Sequence, residues 1–286
     1  MMKTMQKKKR RFQLLRILLL LIMVVCLIPV GQAYYLSIQH EKQQEQLRNM
    51  LKEGNPAQNE ALNQEDPTGQ RKSSGQAKIT GSDTEKRKNE VLDKRPILKK
   101  YQNLWKKNKD MIGWLTVEGT EIDHPVMQCK DDEFYLTHNF YKEKDKYGCL
   151  YVKSMADVNT PGANFIIYGH NMRDGSMFGT LGEYGEKAFY KEHPLVSFDT
   201  LYEARTYEIL SVFQIDIGDA QAFPYYQFYQ AEDEKEFMEF YRNVKALSLY
   251  DTGVGAEFGD TFLTLSTCSG MGEDGRFVVV AKRVVD

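Results

Sequence analysis

A mainly β domain of about 190 residues, the usual size for one core, is predicted for the carboxyl-terminal two thirds of the sequence. Three observations predict it. Beyond Met111, short runs rich in Val, Ile, Leu, Phe, Tyr and Thr follow one another, separated by Gly, Pro, Asn and Asp turns. Helical spacing is sustained mainly at the start of the domain and in one later insert. The chain, 286 residues with 42% hydrophobic and 12% aromatic content, has the ordinary composition of a globular protein.

The elements follow in order. From Ile97 to Met111, Leu98, Tyr101, Leu104, Trp105 and Asn108 recur on or near one face, which predicts a helix. The β runs are Trp114 to Val117, Ile122 to Met127, Cys149 to Val152, Asn164 to Tyr168, Leu195 to Asp199, Thr206 to Asp216, Thr261 to Thr267 and Phe277 to Val285. Before the Thr261 run, Ala231 to Leu247 opens on acids and places Phe237, Phe240, Tyr241 and Val244 at helical spacing. This is an amphipathic helix inserted between two strands.

Ahead of the domain lie three segments of different character. Residues 1–16 carry Lys3, Lys7, Lys8, Lys9, Arg10, Arg11 and Arg16 and no acid, and an apolar run from Ile17 to Val30 follows. A basic flank before an apolar run sets the amino terminus in the cytoplasm, and Tyr34 and Tyr35 suit the far membrane interface. Residues 17–38 therefore read as a signal anchor that crosses the membrane, leaving the rest of the chain outside. Gly31-Gln32-Ala33 resembles a signal-peptidase site, so cleavage is the alternative. Residues 39–95 turn polar, with no aromatic between Tyr35 and Tyr101, and read as a tether. As a flexible coil it spans about 40 Å, and a short helix near Glu41 to Lys52 could carry the membrane helix outward.

Charge and cysteine content exclude several functions. A net charge of -2 carries no signal for nucleic acid as a partner. The cysteines, Cys26, Cys129, Cys149 and Cys268, are too scattered for a disulfide scaffold and form no CxxC pair. Cys129 and Cys149 could pair only if the fold brings them together. No residue cluster has metal-ligand spacing, so neither metal nor cofactor is implied.

The chemistry concentrates in Thr261 to Arg283. An apolar run delivers Cys268 to a loop rich in Gly and acids, and the next run leaves that loop with Arg276 at its mouth. A thiol beside a fixed positive charge favours its ionised, reactive form, although a lone cysteine ending a core strand is the plainer reading. A thiol nucleophile needs a base, usually histidine. His40 lies in the tether, while His124 and His193 each precede a proline and read as structural. His138 sits in the polar turn YLTHNF, where local bonding and action are both open. His170 stands apart: the apolar run NFIIYG ends at it and a Gly-containing loop follows, which repeats the placement of Cys268.

The segments NFIIYGHNMRDGSMFGTL and TLSTC, with an arginine opening a terminal VVV strand, resemble the sortases, the cell-wall cysteine transpeptidases of Gram-positive bacteria. TLSTC matches their TLxTC signature. GHNM with DGSMF, the NKDMIGWLTVEGTEIDHPV segment, the FYL run near Tyr135 and the long helical insert resemble class B in particular. The resemblance runs from about Pro96 to the end of the chain. It implies a closed eight-stranded sortase-type β-barrel with an amino-terminal helical segment and the helical insert, residues 96–286 forming the catalytic domain.

It also implies a function. His170, Cys268 and Arg276 fall on the catalytic triad positions, and the implied reaction cleaves a carboxyl-terminal sorting signal through a thioacyl intermediate. The implied partners are surface proteins bearing that signal and a peptidoglycan precursor or wall-peptide amine. Leu136, Ser266 and Thr267 fall against the bound signal, or serve as packing and ladder residues. Asp274 reads as a turn former rather than a further catalytic member. His124, Asp132 and the CLYVKSMAD run depart from the class pattern, so an NPxTN-like signal is carried over only as an expectation. Two other readings stay open: a pilin-polymerising sortase, and a tethered barrel without catalysis that binds wall proteins.

Overall fold

A computed structural model describes residues 2–54, 95–159 and 162–285. The chain divides into two compact units, residues 1–49 and 50–286. In the first, a single helix α1 (Met2–Glu53) contains the whole apolar run. Leu19 to Ile22, Leu27, Ile28 and Val30 are exposed on it, and it is long and apolar enough to cross a membrane. The helix anticipated near Glu41 to Lys52 is its uninterrupted continuation, so the polar segment from residue 39 begins as helix rather than coil. The rest of that segment, 55–94, lies outside the described residues.

The second unit is a closed barrel of eight strands: β1 (Met111–Thr116), β2 (Asp123–Met127), β3 (Leu150–Tyr151), β4 (Asn164–Tyr168), β5 (Leu195–Thr200), β6 (Thr206–Asp216), β7 (Phe262–Cys268) and β8 (Gly275–Arg283). Around the barrel they run β1-β2-β3-β4-β7-β8-β6-β5, and β5 closes onto β1. The sheet is mixed, with β2–β3 and β4–β7 parallel and the other pairs antiparallel. Among the described residues, α2 (Lys99–Lys107) precedes β1, α3 (Lys187–Glu192) lies between β4 and β5, and α4 (Glu234–Leu247) between β6 and β7.

Two apolar clusters explain why the late strands are unbroken apolar runs rather than alternating ones. One cluster contains Leu115, Val126, Phe165, Ile167, Phe198, Val212, Leu263, Leu265 and Val279. The other contains Leu210, Phe213, Phe262, Val278 and Val280 with Phe237, Phe240 and Val244 of α4. Alternate residues of β8 thus serve opposite faces, and α4 covers the second face. Phe237 and Phe240, 1% and 2% exposed, each contribute about 1.5–3 kcal/mol of burial. Asp233 caps α4 by accepting from Glu236 N at 2.9 Å, while the Glu236 side chain accepts at 2.8 Å from the backbone N of Glu232, the residue before the cap.

The helix expected to reach Met111 stops at Lys107. Asn108 turns extended because its side chain is needed elsewhere. Nδ2 donates to Tyr135 Oη at 2.9 Å and to the Phe140 carbonyl at 2.8 Å, and Oδ1 accepts from Asp110 N. Buried at the junction, Asn108 releases Met111 to begin β1. All four cysteines are unpaired, Cys129 and Cys149 included.

Candidate active site

Parallel register brings the two singled-out strand ends together. The β4–β7 pairing runs from Asn164 opposite Phe262 to Tyr168 opposite Ser266. Beyond that last pair the two segments stay tied, with Thr267 Oγ1 donating to the Gly169 carbonyl at 2.7 Å and Asn171 Nδ2 to the Cys268 carbonyl at 2.8 Å, so His170 and Cys268 leave neighbouring strands onto one cavity. On the other side of β7, Cys268 pairs antiparallel with Arg276, the second residue of β8. Directly paired antiparallel residues hold their Cβ atoms about 4.5–5.5 Å apart. One exposed thiol is therefore paired with an arginine on β8 and shares its cavity with the imidazole that follows β4.

Each neighbour is held from behind. His170 Nε2 lies 2.7 Å from the Leu136 carbonyl, which can only accept. Nε2 therefore carries the proton, and Nδ1 is the nitrogen left for proton transfer in neutral imidazole. The loop beyond His170 is closed by a bridge between Asn171 and Met177, by Phe178 N donating to the His170 carbonyl at 3.0 Å, and by Tyr147 Oη donating to Asp174 at 2.7 Å. Gly169 is required between Tyr168 and His170, because a Cβ there would strike Leu150 and lie 2.8 Å from the Phe178 ring. Asn171 Nδ2 donates to the Cys268 carbonyl at 2.8 Å and so ties the thiol-bearing residue to the His170 loop. Arg276 Nη1 donates to the carbonyls of Glu273 and Gly275 at 2.9 and 3.0 Å, which keeps the guanidinium at the mouth of its own loop.

These residues open on a cavity of about 400 Å³. Leu136, Ser266 and Thr267 line it with His170, Cys268 and Arg276. The two hydroxyls are already committed: Ser266 Oγ lies 2.7 Å from Tyr225 Oη, and Thr267 Oγ1 donates to the Gly169 carbonyl at 2.7 Å. Sequence reasoning missed Tyr151, Lys153, Tyr168, Ile217, Tyr225 and Tyr226, which complete the lining together with Gly169. Tyr168 immediately precedes GHNM, and Tyr151 and Lys153 lie within the CLYVKSMAD run noted above, but no local pattern announces Ile217, Tyr225 or Tyr226. Burial pushes the Tyr225 and Tyr151 hydroxyls up to about 12, so both remain neutral donors at physiological pH.

The remaining candidates sit elsewhere. His124 is buried within β2 opposite Leu115, His193 packs on Phe189 at 4.5 Å, and His138 stacks on Phe134 at 4.0 Å. Cys149 is buried and its thiol is pushed up by that burial; Cys129 is also pushed up, mainly by burial. Neither is favoured as a thiolate. Asp274 is exposed, and its carbonyl accepts from Ile217 N, as a loop former would. Asp132 Oδ1 accepts from Ser154 N at 2.6 Å and does not line the cavity.

A Sortase domain family model matches residues 115–284, the barrel from its first strand to its last. The chain belongs to the sortase family. It is 37% identical over 189 residues to Sortase B of Listeria monocytogenes, covering 64% of this chain and 73% of that relative. The structure of sortase B from B. anthracis in complex with AAEK1 superposes with a TM-score of 0.60 at 31% identity, covering 70% of this chain and 94% of the other. A Staphylococcus aureus sortase B-substrate complex gives 0.60 at 27% identity, with 71% and 93% covered. This sortase is thus a cysteine transpeptidase of the sortase B type, a family whose general function is anchoring proteins to the cell wall.

Proposed function

We propose that this enzyme cleaves an NPxTN-like carboxyl-terminal sorting signal of surface proteins and transfers them to a peptidoglycan amine, with Cys268, His170 and Arg276 as the reacting and stabilising groups. The observation that carries the proposal is the convergence of three residues on one cavity: an exposed Cys268 opposite Arg276 on β8, with His170 just beyond β4 lining the same space. Solved relatives include a Staphylococcus aureus sortase B-substrate complex, which supports a peptide as the occupant of the cavity.

The chemistry follows from these positions. The Cys268 thiolate attacks the carbonyl carbon of the scissile peptide bond, and the developing oxyanion is met by the Arg276 fork. As the C–N bond breaks, His170 gives the departing amine the Nδ1 proton that it took from the Cys268 thiol, leaving a thioester on Cys268. The incoming wall amine attacks that thioester and loses a proton to His170, and the C–S bond breaks to restore the thiolate. Leu136 would hold His170 through its carbonyl and meet the signal with its side chain, while Ser266 and Thr267 shape the adjoining wall. Residues 17–38 of α1 would anchor the enzyme with its amino terminus cytoplasmic and its barrel outside, tethered by residues 39–95.

The test is a peptide assay with the full chain in detergent, using NPxTN-like signals with and without a glycine-peptide amine. Cleavage without amine, a joined product with it, and loss of both in Cys268→Ala are expected. Equal rates in the wild type and the alanine variant would end the cysteine mechanism. Fractionation of cells tests the anchor: the full-length protein is expected in the membrane fraction, and release at a cleaved mass would contradict it.

A further inference from the structure

Lys153 lies just beyond β3 on the wall of the active-site cavity, half-buried, with Nζ 5.7 Å from the centroid of the Tyr168 ring. Its backbone is fixed, since its carbonyl accepts from Gln128 Nε2 at 2.9 Å and from Ala156 N at 3.0 Å. Among the described residues, no carboxylate forms an ion pair with it. Asp132 and Glu133 send their fields to Tyr151 on the same wall, but Asp132 Oδ1 is engaged by Ser154 N and Glu133 is exposed. The charged lining of the cavity consists of Lys153, Arg276 and the titratable His170, with no Asp or Glu.

The half-buried Lys153 side chain brings a positive charge to the cavity wall, and an aromatic face at that distance is only a weak partner for it. A carboxylate entering the cavity would supply the missing counter-charge. Arg276 is already occupied by two carbonyls and stands opposite Cys268, where a substrate backbone oxygen would arrive. Lys153 is on the other wall, free to meet a side chain.

We propose that Lys153 is a specificity-determining residue that selects sorting signals carrying an acidic side chain, Asp or Glu, along the β3 wall. The proposal rests on the peptide-cleavage reading above and names the substrate class of that same site.

A peptide series tests it. NPxTN-like signals carrying Glu, Gln or Lys at each position in turn are offered to the full chain in detergent, and kcat/KM is compared. At one position Glu is expected to outperform Gln by about 5-fold, the size of a favourable ion pair near a surface. Lys153→Met brings that ratio to about one, and Lys153→Glu transfers the preference to the Lys peptide. Added salt shrinks the wild-type ratio. A Glu-to-Gln ratio unchanged between wild type and Lys153→Met at every position overturns the proposal. If no peptide is cleaved in a Cys268-dependent way, the cleavage reading fails separately. Anisotropy of the same labelled peptides on the Cys268→Ala chain then decides the matter for Lys153: Glu-selective binding lost in a Cys268→Ala, Lys153→Met double variant supports the proposal, and equal binding of Glu and Gln peptides overturns it.

Discussion

Within β7, the stretch from Phe262 to Thr267 is buried throughout, while the last residue, Cys268, is exposed. The two regions obey different rules. In the body, Leu263 and Leu265 pack in the cluster with Phe165, Ile167 and Val279, and Phe262 packs toward α4, so the strand is covered on both faces of the sheet. At the tip, contacts turn polar and directional: Asn171 to the Cys268 carbonyl, Thr267 to Gly169, and Ser266 with Tyr225. The difference teaches how a reactive thiol is placed. The ladder to β4 and β8 fixes the tip to within the tolerance of a strand, yet the tip contributes little apolar burial itself. The body should therefore govern stability and the tip should govern chemistry.

Substitutions can break or sharpen that division. Cys268→Ala should lower peptide cleavage by about 10³-fold or more while leaving the thermal midpoint close to the wild type, as read by paired kinetics and thermal melts. Leu265→Ala, at a position that is 0% exposed, should cost about 2–5 kcal/mol in denaturant unfolding while each folded molecule still cleaves at nearly the normal rate. Arg276→Lys should lower kcat/KM about 100-fold with little change in stability, since a point charge cannot reproduce the fork that serves both the loop carbonyls and the oxyanion. A large stability loss in Cys268→Ala, or a large loss of chemistry per folded molecule in Leu265→Ala, would erase the distinction.

The smallest expected effect lies on the border between the two regions. Tyr225 ionises near 10 when unfolded and near 12 when buried against Ser266. Between those values the unfolded chain releases a proton that the folded chain retains, so this contribution to stability is whole below pH 10 and falls as pH rises to 12. The slope is at most about 1.4 kcal/mol per pH unit for one tyrosine. Tyr225→Phe should flatten part of that alkaline loss and cost about 1 kcal/mol at neutral pH from the broken Ser266 contact. Unfolding curves at pH 8, 10 and 11 check both effects.

The division also explains what the sequence disclosed. The strands were legible because apolar, β-branched runs between turn residues suit a sheet covered on one or both faces, and β4 and β6 have the anticipated limits. The strand ends were legible too, since His170 and Cys268 each leave such a run beside a glycine loop. Contacts made by backbone groups or across long separations were not. Nothing in FYL indicates that the Leu136 carbonyl reaches His170 across 34 positions. Asn108 fits the helical spacing of its neighbours, and only its bonds to Tyr135 and Phe140 show why the helix ends there. Tyr225 enters the cavity from a segment with no local signal, and the CLYVKSMAD run, though it departs from the class pattern, does not show that Lys153 faces the cavity.

The central claim is that Cys268, and no other thiol, carries the substrate. The direct measurement is intact-mass spectrometry of the full chain mixed with a sorting-signal peptide and no amine, followed by digestion to map the adduct. A mass increase equal to the amino-terminal part of the peptide, located on Cys268 and discharged by hydroxylamine, is the predicted result. No adduct, or an adduct on the half-exposed Cys129, would contradict the account.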